Sequence, residues 1–280
     1  MVCKVKCVVI TGIEAQPVNI ETDISNGLPS FDMVGLLASD IKESRERVRT
    51  AIKNSGFILP PKRITINFSP ANMRKAGTYF DLPIAVSILQ ALGIIQCQVE
   101  DKLFVGELSL DGKIIEVRGV LPIVLCAVEQ GIKQCFVPTE NVGECDFLEG
   151  IEIIGVESLN HVMQILSGVS CGEIKRHTGS EQLSEIVKEN KYDFCDIYGQ
   201  AQGRKAAEIS AAGMHNFLMI GPPGTGKSII AKTLPSILPD MLQEEKIEIS
   251  KIQSIAGNLY GSLVSERPIR SHIILLRCRQ

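Results

Sequence analysis

The sequence predicts an α/β protein built in two units, and three observations carry that expectation. Short apolar runs rich in Val and Ile alternate with helical stretches from Lys4 to about Gly168. Between Ser167 and about Glu189 the stretch SGVSCGEIKRHTGSEQLSEIVKE turns polar and loses its apolar periodicity, as linkers do. Beyond it, residues 221–228 read GPPGTGKS, a glycine-rich loop set between an apolar run and a helical stretch. The expected division is a first α/β unit over 1–168, a linker over 169–189 and a second unit over 190–280.

In the first unit KVKCVVI, PVNIETDI, RITINF, KLFVGEL, KIIEV, QCFVP and IEIIGV read as strands, most of them bounded by Gly, Pro, Asn or Asp. Three helices lie between or after them. Asp40 with Glu43 makes a capping-box start for IKESRERVRTAIKNS, which Gly56 stops. Asp81 caps LPIAVSILQAL, which Gly93 stops, and Leu121 to Gln130 runs to Gly131. The turn LDGK, Leu110 to Lys113, joins two strands as a tight hairpin, so part of the sheet is antiparallel. In the second unit YDFCDIYGQAQGRKAAEISAAG predicts a loop followed by a helix, and HNFLMI, His215 to Ile220, a short buried strand. SIIAKTLPSIL and MLQEEKIEISKIQSIAG both read as helices.

Hydrophobic side chains make up 45% of the 280 residues and charged ones 22%, enough for one large domain or two ordinary ones. No run approaches the roughly 18–20 apolar residues that span a bilayer. The start, MVCKVKCVVITG, is too short and too interrupted by lysines for a signal peptide, so a cytoplasmic protein is expected. The nine cysteines are scattered among apolar neighbours with no CxxC pair, and read as reduced small hydrophobes. Cys3 and Cys7, the one close pair, are the alternative zinc candidates. Net charge is −3, so any contact with nucleic acid must use a local patch.

Gly221-Pro222-Pro223-Gly224-Thr225-Gly226-Lys227-Ser228 fits the phosphate-loop pattern G-x-x-x-x-G-K-[ST] (Walker A). Its glycines let successive N–H groups turn inward around a β-phosphate, where the following helix dipole also favours negative charge. Lys227 is placed to reach the β- and γ-phosphates, and the Ser228 hydroxyl to ligate Mg²⁺, so ATP with Mg²⁺ is the expected ligand. Hydrolysis needs in addition an acidic residue at the end of a later apolar strand. The apolar run Ile273 to Leu276 ends instead in Arg-Cys-Arg, and Glu244, Glu245 and Glu248 fall on a predicted helix, where a solvated face is expected.

A second candidate surface lies on the helix after Asp40. Lys42, Arg45, Arg49 and Lys53 recur every three or four residues and share one face, with Arg47 apart from them. Such a stripe, joined by Arg74 and Lys75, can lie along nucleic-acid phosphates. The plainer alternative is a solvated surface partly neutralised by Glu43 and Glu46. Aromatic residues, 5% of the chain, are too few for base stacking to be the main mode.

The stretches GLPSFDMVGL, KESRERVRTAIKNSGF, NFSPANMRKAGTYFDLPIAV, GELSLDGKI and AAGMHNFLMIGPPGTGKS occur in an order that resembles the ComM/YifB family of magnesium-chelatase-like AAA+ proteins, from residue 4 to about residue 270. The resemblance implies a first domain with the Lon-protease-like, ribosomal-S5-domain-2-like fold, followed by an AAA+ module. It also implies ATP-driven, hexameric ring motors that move branched DNA during natural transformation. Lon-type peptidases use a Ser-Lys dyad. Where they carry serine in G-P-S-A-G this chain reads Gly77-Thr78-Tyr79-Phe80-Asp81-Leu82, and where lysine follows a Gly-Gly pair it reads Arg118-Gly119-Val120-Leu121. A peptidase fold without peptidase chemistry is therefore expected, with Ser69 a turn serine and Lys113 a hairpin lysine.

In the resembling family R-P-x-R-S-P-H-H-T leads into a longer AAA+ core, whereas here Arg267-Pro268-Ile269-Arg270-Ser271 is followed by HIILLRCRQ. With one choice of synonymous codons, loss of one base after the Ser271 codon turns a reading of SPHHTITVQA into the observed SHIILLRCRQ, which allows such a shift without forcing it. The expectation is a shifted-frame tail over 272–280, a longer parent, and a chain that stops before the Walker B strand, sensors, arginine finger and lid. Such a chain holds a nucleotide with its C-terminal third poorly anchored, and neither forms the ring nor turns ATP over. The competing expectation is a non-catalytic interaction module built on the Lon-like domain, with a vestigial phosphate loop. A working serine peptidase is disfavoured by the missing dyad, and a tetrapyrrole magnesium chelatase subunit by the long domain ahead of the loop.

Overall fold

A computed structural model describes residues 2–168, 176–177, 192–259, 261, 263–265 and 267–268. Residues 272–280, expected to be a shifted-frame tail, with the run Ile273 to Leu276 and most of the expected linker, lie outside the described residues. The chain divides into two compact units, Met1–Leu183 with Glu248–Leu263, and Ser184–Ile247 with Val264–Gln280. Residues 248–263, which the sequence assigns to the second unit, thus belong to the first.

The first unit is a mixed eight-stranded sheet with helices. Strands β1 (Cys3–Thr11) and β2 (Glu14–Ser25) pair antiparallel, and β3 (Ser30–Val34) precedes helix α1 (Ser39–Asn54) and strand β4 (Arg63–Ser69). Then follow α2 (Asp81–Ala91), β5 (Lys102–Phe104), β6 (Glu107–Leu108), β7 (Ile114–Ile115), α3 (Val120–Glu129), β8 (Gln134–Pro138), β9 (Glu152–Val156), α4 (Leu159–Leu166) and β10 (Arg176–His177). The sheet order is β10-β9-β8-β5-β1-β2-β4-β3, with β6 and β7 forming a separate hairpin through the predicted LDGK turn. Pairing is parallel for β1/β5, β5/β8, β8/β9 and β3/β4, and antiparallel for β1/β2, β2/β4 and β9/β10. Every residue of α2 from Asp81 to Leu89 is buried, the mark of a helix enclosed on all sides.

Several local expectations are corrected. KLFVGEL is broken by Gly106 into β5 and β6, and KIIEV pairs only at Ile114–Ile115. Neither β3 nor α4 was expected. Asp40 and Asp81 do not cap their helices: α1 and α2 start from Ala38 and Phe80 without a side-chain cap. Asp40 instead accepts the Gly77 N–H, and Asp81 binds Arg47 and the Leu108 N–H. Tertiary partners won both carboxylates over the local amides.

A buried polar network fastens residues 248–259 within the first unit. The Ser254 hydroxyl donates to Glu144 (2.6 Å) and accepts from the Leu121 N–H (3.4 Å), while Asn141 donates to the other Glu144 oxygen (2.7 Å). Burial raises the Glu144 carboxyl above its ordinary value of 4.5. A raised folded value favours the protonated form, so this contribution is complete below about pH 4.5 and fades as pH rises through the folded value. Glu144→Gln is expected to flatten the acid side of the stability profile of this unit, followed by urea unfolding from pH 4.5 to neutrality. An unchanged slope would count against the assignment.

In the second unit a short 3₁₀ turn, Phe194–Asp196, leads to α5 (Ala201–Gly213), and α6 (Lys227–Thr233) continues as a second 3₁₀ turn, Leu234–Ile237. Helix α7 (Gln243–Ala256) carries the boundary between the units. Phe194, Ile197, Ala207 and Ile230 form a small core, against which Phe217 and Met219 pack. The buried strand expected over 215–220 is not found: these residues pair with no described strand, and Leu218 and Ile220 are 80% and 86% exposed. A strand exists only where a neighbour accepts and donates its ladder bonds, and among the described residues there is none here.

Gln200 and Met214 bracket α5 with positive φ, 53° and 52°. Met214 is exposed, so glycine there removes left-handed strain without losing packing. Met214→Gly is expected to stabilise α5 by about 1 kcal/mol, seen as slower amide exchange across the helix. Faster exchange would contradict this.

Among the described residues no helix is long and apolar enough to cross a membrane. Burial pushes the Cys7 thiol up to about 12 and raises Cys126, Cys135 and Cys145, so these are inert packing groups. Cys3 and Cys7 lie on β1, and among the described residues no group of three His, Cys, Asp or Glu side chains is placed to hold a metal.

Candidate nucleotide-binding site

The GPPGTGKS loop enters α6 through two glycines in the left-handed region, Gly224 (φ 78°) and Gly226 (φ 81°). Space does not forbid a side chain at Gly224, where a Cβ would meet nothing within 4 Å; the backbone angle does. Lys227 opens the helix and its Nζ lies back over the loop, donating to the carbonyls of Gly221 (2.8 Å) and Pro222 (2.6 Å) and to Thr225 Oγ1 (3.1 Å). Thr225 Oγ1 in turn donates to Pro222 (3.0 Å), so one residue braces both the loop and the lysine. Ser228 stands exposed on the first turn of α6.

Gly224, Thr225, Gly226 and Ile229 form one wall of a cleft of about 260 Å³, and Asp196, Ile197, Tyr198 and Gln200 the other. That second wall is fastened from α5: the Arg204 guanidinium donates to the Ile197 carbonyl (3.2 Å) and sits 5.7 Å from the Phe194 ring centroid. The wall was not expected from sequence. It precedes the loop by more than twenty residues, and only the Gly199-Gln200 turn, with φ of 76° and 53°, marks it. The cleft thus offers glycine backbone at one side and an aromatic and a carboxylate at the other, while Lys227, its Nζ held by the loop carbonyls, does not line it. Successive glycine N–H groups of such a loop suit the phosphates of a nucleotide. Glu245, expected to be a solvated acid, pairs with Arg267 through both oxygens (3.1 and 2.6 Å).

Residues 20–141 match the family described as subunit ChlI of Mg-chelatase, and residues 193–273 match magnesium chelatase, subunit ChlI. The chain is 37% identical to competence protein ComM of Haemophilus influenzae and 38% identical to the uncharacterized protein YifB of Escherichia coli, each over 93% of its length and 51% of the relative's. The chain belongs to the magnesium-chelatase-like ComM/YifB family. It spans about half the length of these ComM and YifB relatives. A further match, 32% over 138 residues, covers 48% of the chain and 14% of an archaeal Lon protease from Pyrococcus abyssi. Of the two stretches set against the Lon dyad, Tyr79 is buried with its hydroxyl accepting from the Ile10 N–H, and Leu121 is buried in α3. Of the stray candidates, Ser69 ends β4, and Lys113 is an exposed hairpin residue beside Asp111 (3.4 Å).

The basic stripe is placed by α1. Lys42, Arg45, Arg49 and Lys53 are all exposed, as is Arg74. Lys75 is corrected: it is fully buried, its Nζ donates to the Pro70 carbonyl, and burial lowers its pKa. A side chain enclosed in this way does not reach a phosphate.

Proposed function

We propose that this chain is the ATP-binding part of a ComM-type protein that processes branched DNA. The observation that carries the reading is the cleft between Gly224–Gly226 and Asp196–Gln200, with Lys227 opening the helix beside it. In this reading the loop amides and Lys227 hold the β- and γ-phosphates, and the Ser228 hydroxyl supplies one ligand to Mg²⁺. Bound Mg²⁺ would neutralise phosphate charge. The first unit is read as a Lon-like, S5-type domain without peptidase chemistry, and a hexameric ring is assigned to the whole family protein rather than to this chain. Nucleotide binding is the activity this reading assigns to the cleft.

Titration of the full chain with a fluorescent ATP analogue, with and without Mg²⁺, tests the reading. Saturable binding that Mg²⁺ strengthens is expected. No binding at millimolar nucleotide would remove the reading and favour an interaction module with a vestigial loop.

A further inference from the structure

The outer face of α1 carries a line of four cations, of which only Arg45 makes an ion pair among the described residues. Its inner face, Ile41, Ser44, Val48, Ala51 and Ile52, is wholly buried, which fixes the rotation of the helix and holds Lys42, Arg45, Arg49 and Lys53 in solvent. Among the described residues no ion pair engages Lys42, Arg49 or Lys53, and Arg45 meets only its neighbour Glu46 (3.2 Å) across a half-exposed contact. Lys4, Arg63, Lys102 and Lys113 each stand beside a carboxylate, whereas exposed Lys6, Lys62, Arg118 and Lys133 make no ion pair among the described residues, so what sets the α1 cations apart is their alignment on one helix face. Arg47, on the same helix, is withdrawn to Asp81.

Two backbone hydrogen bonds extend this line at its N-terminal end. Lys75 N–H donates to Leu36 and Ala38 N–H donates to Lys75, both at 2.9 Å, so the segment carrying exposed Arg74 is held against the residues that lead into α1. At 1.5 Å rise per residue the four helical cations are spaced by about 4.5 to 6 Å and cover about 16 Å. That spacing suits a chain of phosphates. No large apolar residue of α1 is exposed, so the face lacks the buried anchors on which a protein partner's affinity rests.

We infer that the outer face of α1, together with Arg74, lies along the phosphate backbone of DNA, as a contact independent of base sequence. The inference rests on the DNA-processing reading above, and names the surface that reading requires. Lys75 has no part in it, while Glu43 and Glu46 beside the stripe oppose it.

Fluorescence anisotropy of the full chain with a labelled DNA duplex and a labelled four-way junction, across a salt series, tests this. The triple variant Lys42→Ala, Arg49→Ala, Lys53→Ala is expected to bind more weakly and to reduce the slope of log K against log salt by about 0.9 for each phosphate it no longer neutralises. Glu43→Gln with Glu46→Gln, which leaves every cation in place, is expected to tighten binding. The inference is overturned if the wild-type chain binds no DNA at low salt, if the triple variant keeps the wild-type slope, or if the stripe binds phosphatidylserine vesicles in preference to DNA. ATP-analogue titration of the same variants separates the two readings. Intact nucleotide binding with no DNA binding removes only this surface, whereas intact DNA binding with no nucleotide binding removes the proposed cleft.

Discussion

Alanine at position 81 is expected to destabilise the first unit by about 3 kcal/mol, read as a fall in its urea midpoint at unchanged m value. Asp81 is fully buried, and both its oxygens accept from the Arg47 guanidinium, at 2.8 and 3.2 Å. The Leu108 N–H donates to the same carboxylate (3.3 Å), and Arg47 also donates to Ser44 Oγ (3.0 Å). Burial alone pushes the Asp81 carboxyl upward, and the Arg47 contacts oppose that push. Truncation therefore strands a guanidinium and an amide together, and the penalty is that of unpaired groups rather than of the pair itself. Arg47→Met combined with Asp81→Leu should recover much of the loss, because neither charge is then left alone. A single-variant loss below about 1 kcal/mol would mean that solvent reaches Arg47 well enough to replace its partner.

Lys227→Ala is expected to weaken binding of the ATP analogue roughly 10- to 100-fold, the equivalent of one charge-assisted hydrogen bond. Folding should be nearly unaffected, since the contacts of Lys227 lie on an exposed loop. A phosphate must draw the ammonium away from the Gly221 and Pro222 carbonyls, so measured affinity is the difference between two sets of contacts. Unchanged affinity in the variant would show that the loop does not hold the phosphates.

Most strands of the first unit were legible because Val and Ile runs such as CVVI and ITINF write burial directly into the sequence. SFDMV was not, because at the sheet edge its residues are only half-buried or exposed and need no such pattern. The eight-residue α4 was too short to show a period. Asp40 and Asp81 were misread for a different reason: each stands where a cap belongs, yet its partner comes from elsewhere in the chain, and no local rule contains that competition. Lys75 shows the same limit, since its spacing to Arg74 says nothing of enclosure. At the candidate site the phosphate loop was legible as a motif, whereas the Asp196–Gln200 wall became visible only when α5 brought it across.

The place of β1 in the sheet has a consequence for how the chain is made. It lies in the interior between β2, its immediate successor, and β5, which Lys6 meets at Leu103. During synthesis the β1–β2–β4 set can assemble early, but the other side of β1 waits for β5, and β8 and β9 add only after that. Until then an apolar strand edge is open on the nascent chain, inviting mispairing and holdase chaperones. Folding of this unit should therefore be slow for its size, limited by closure of distant strands rather than by its helices.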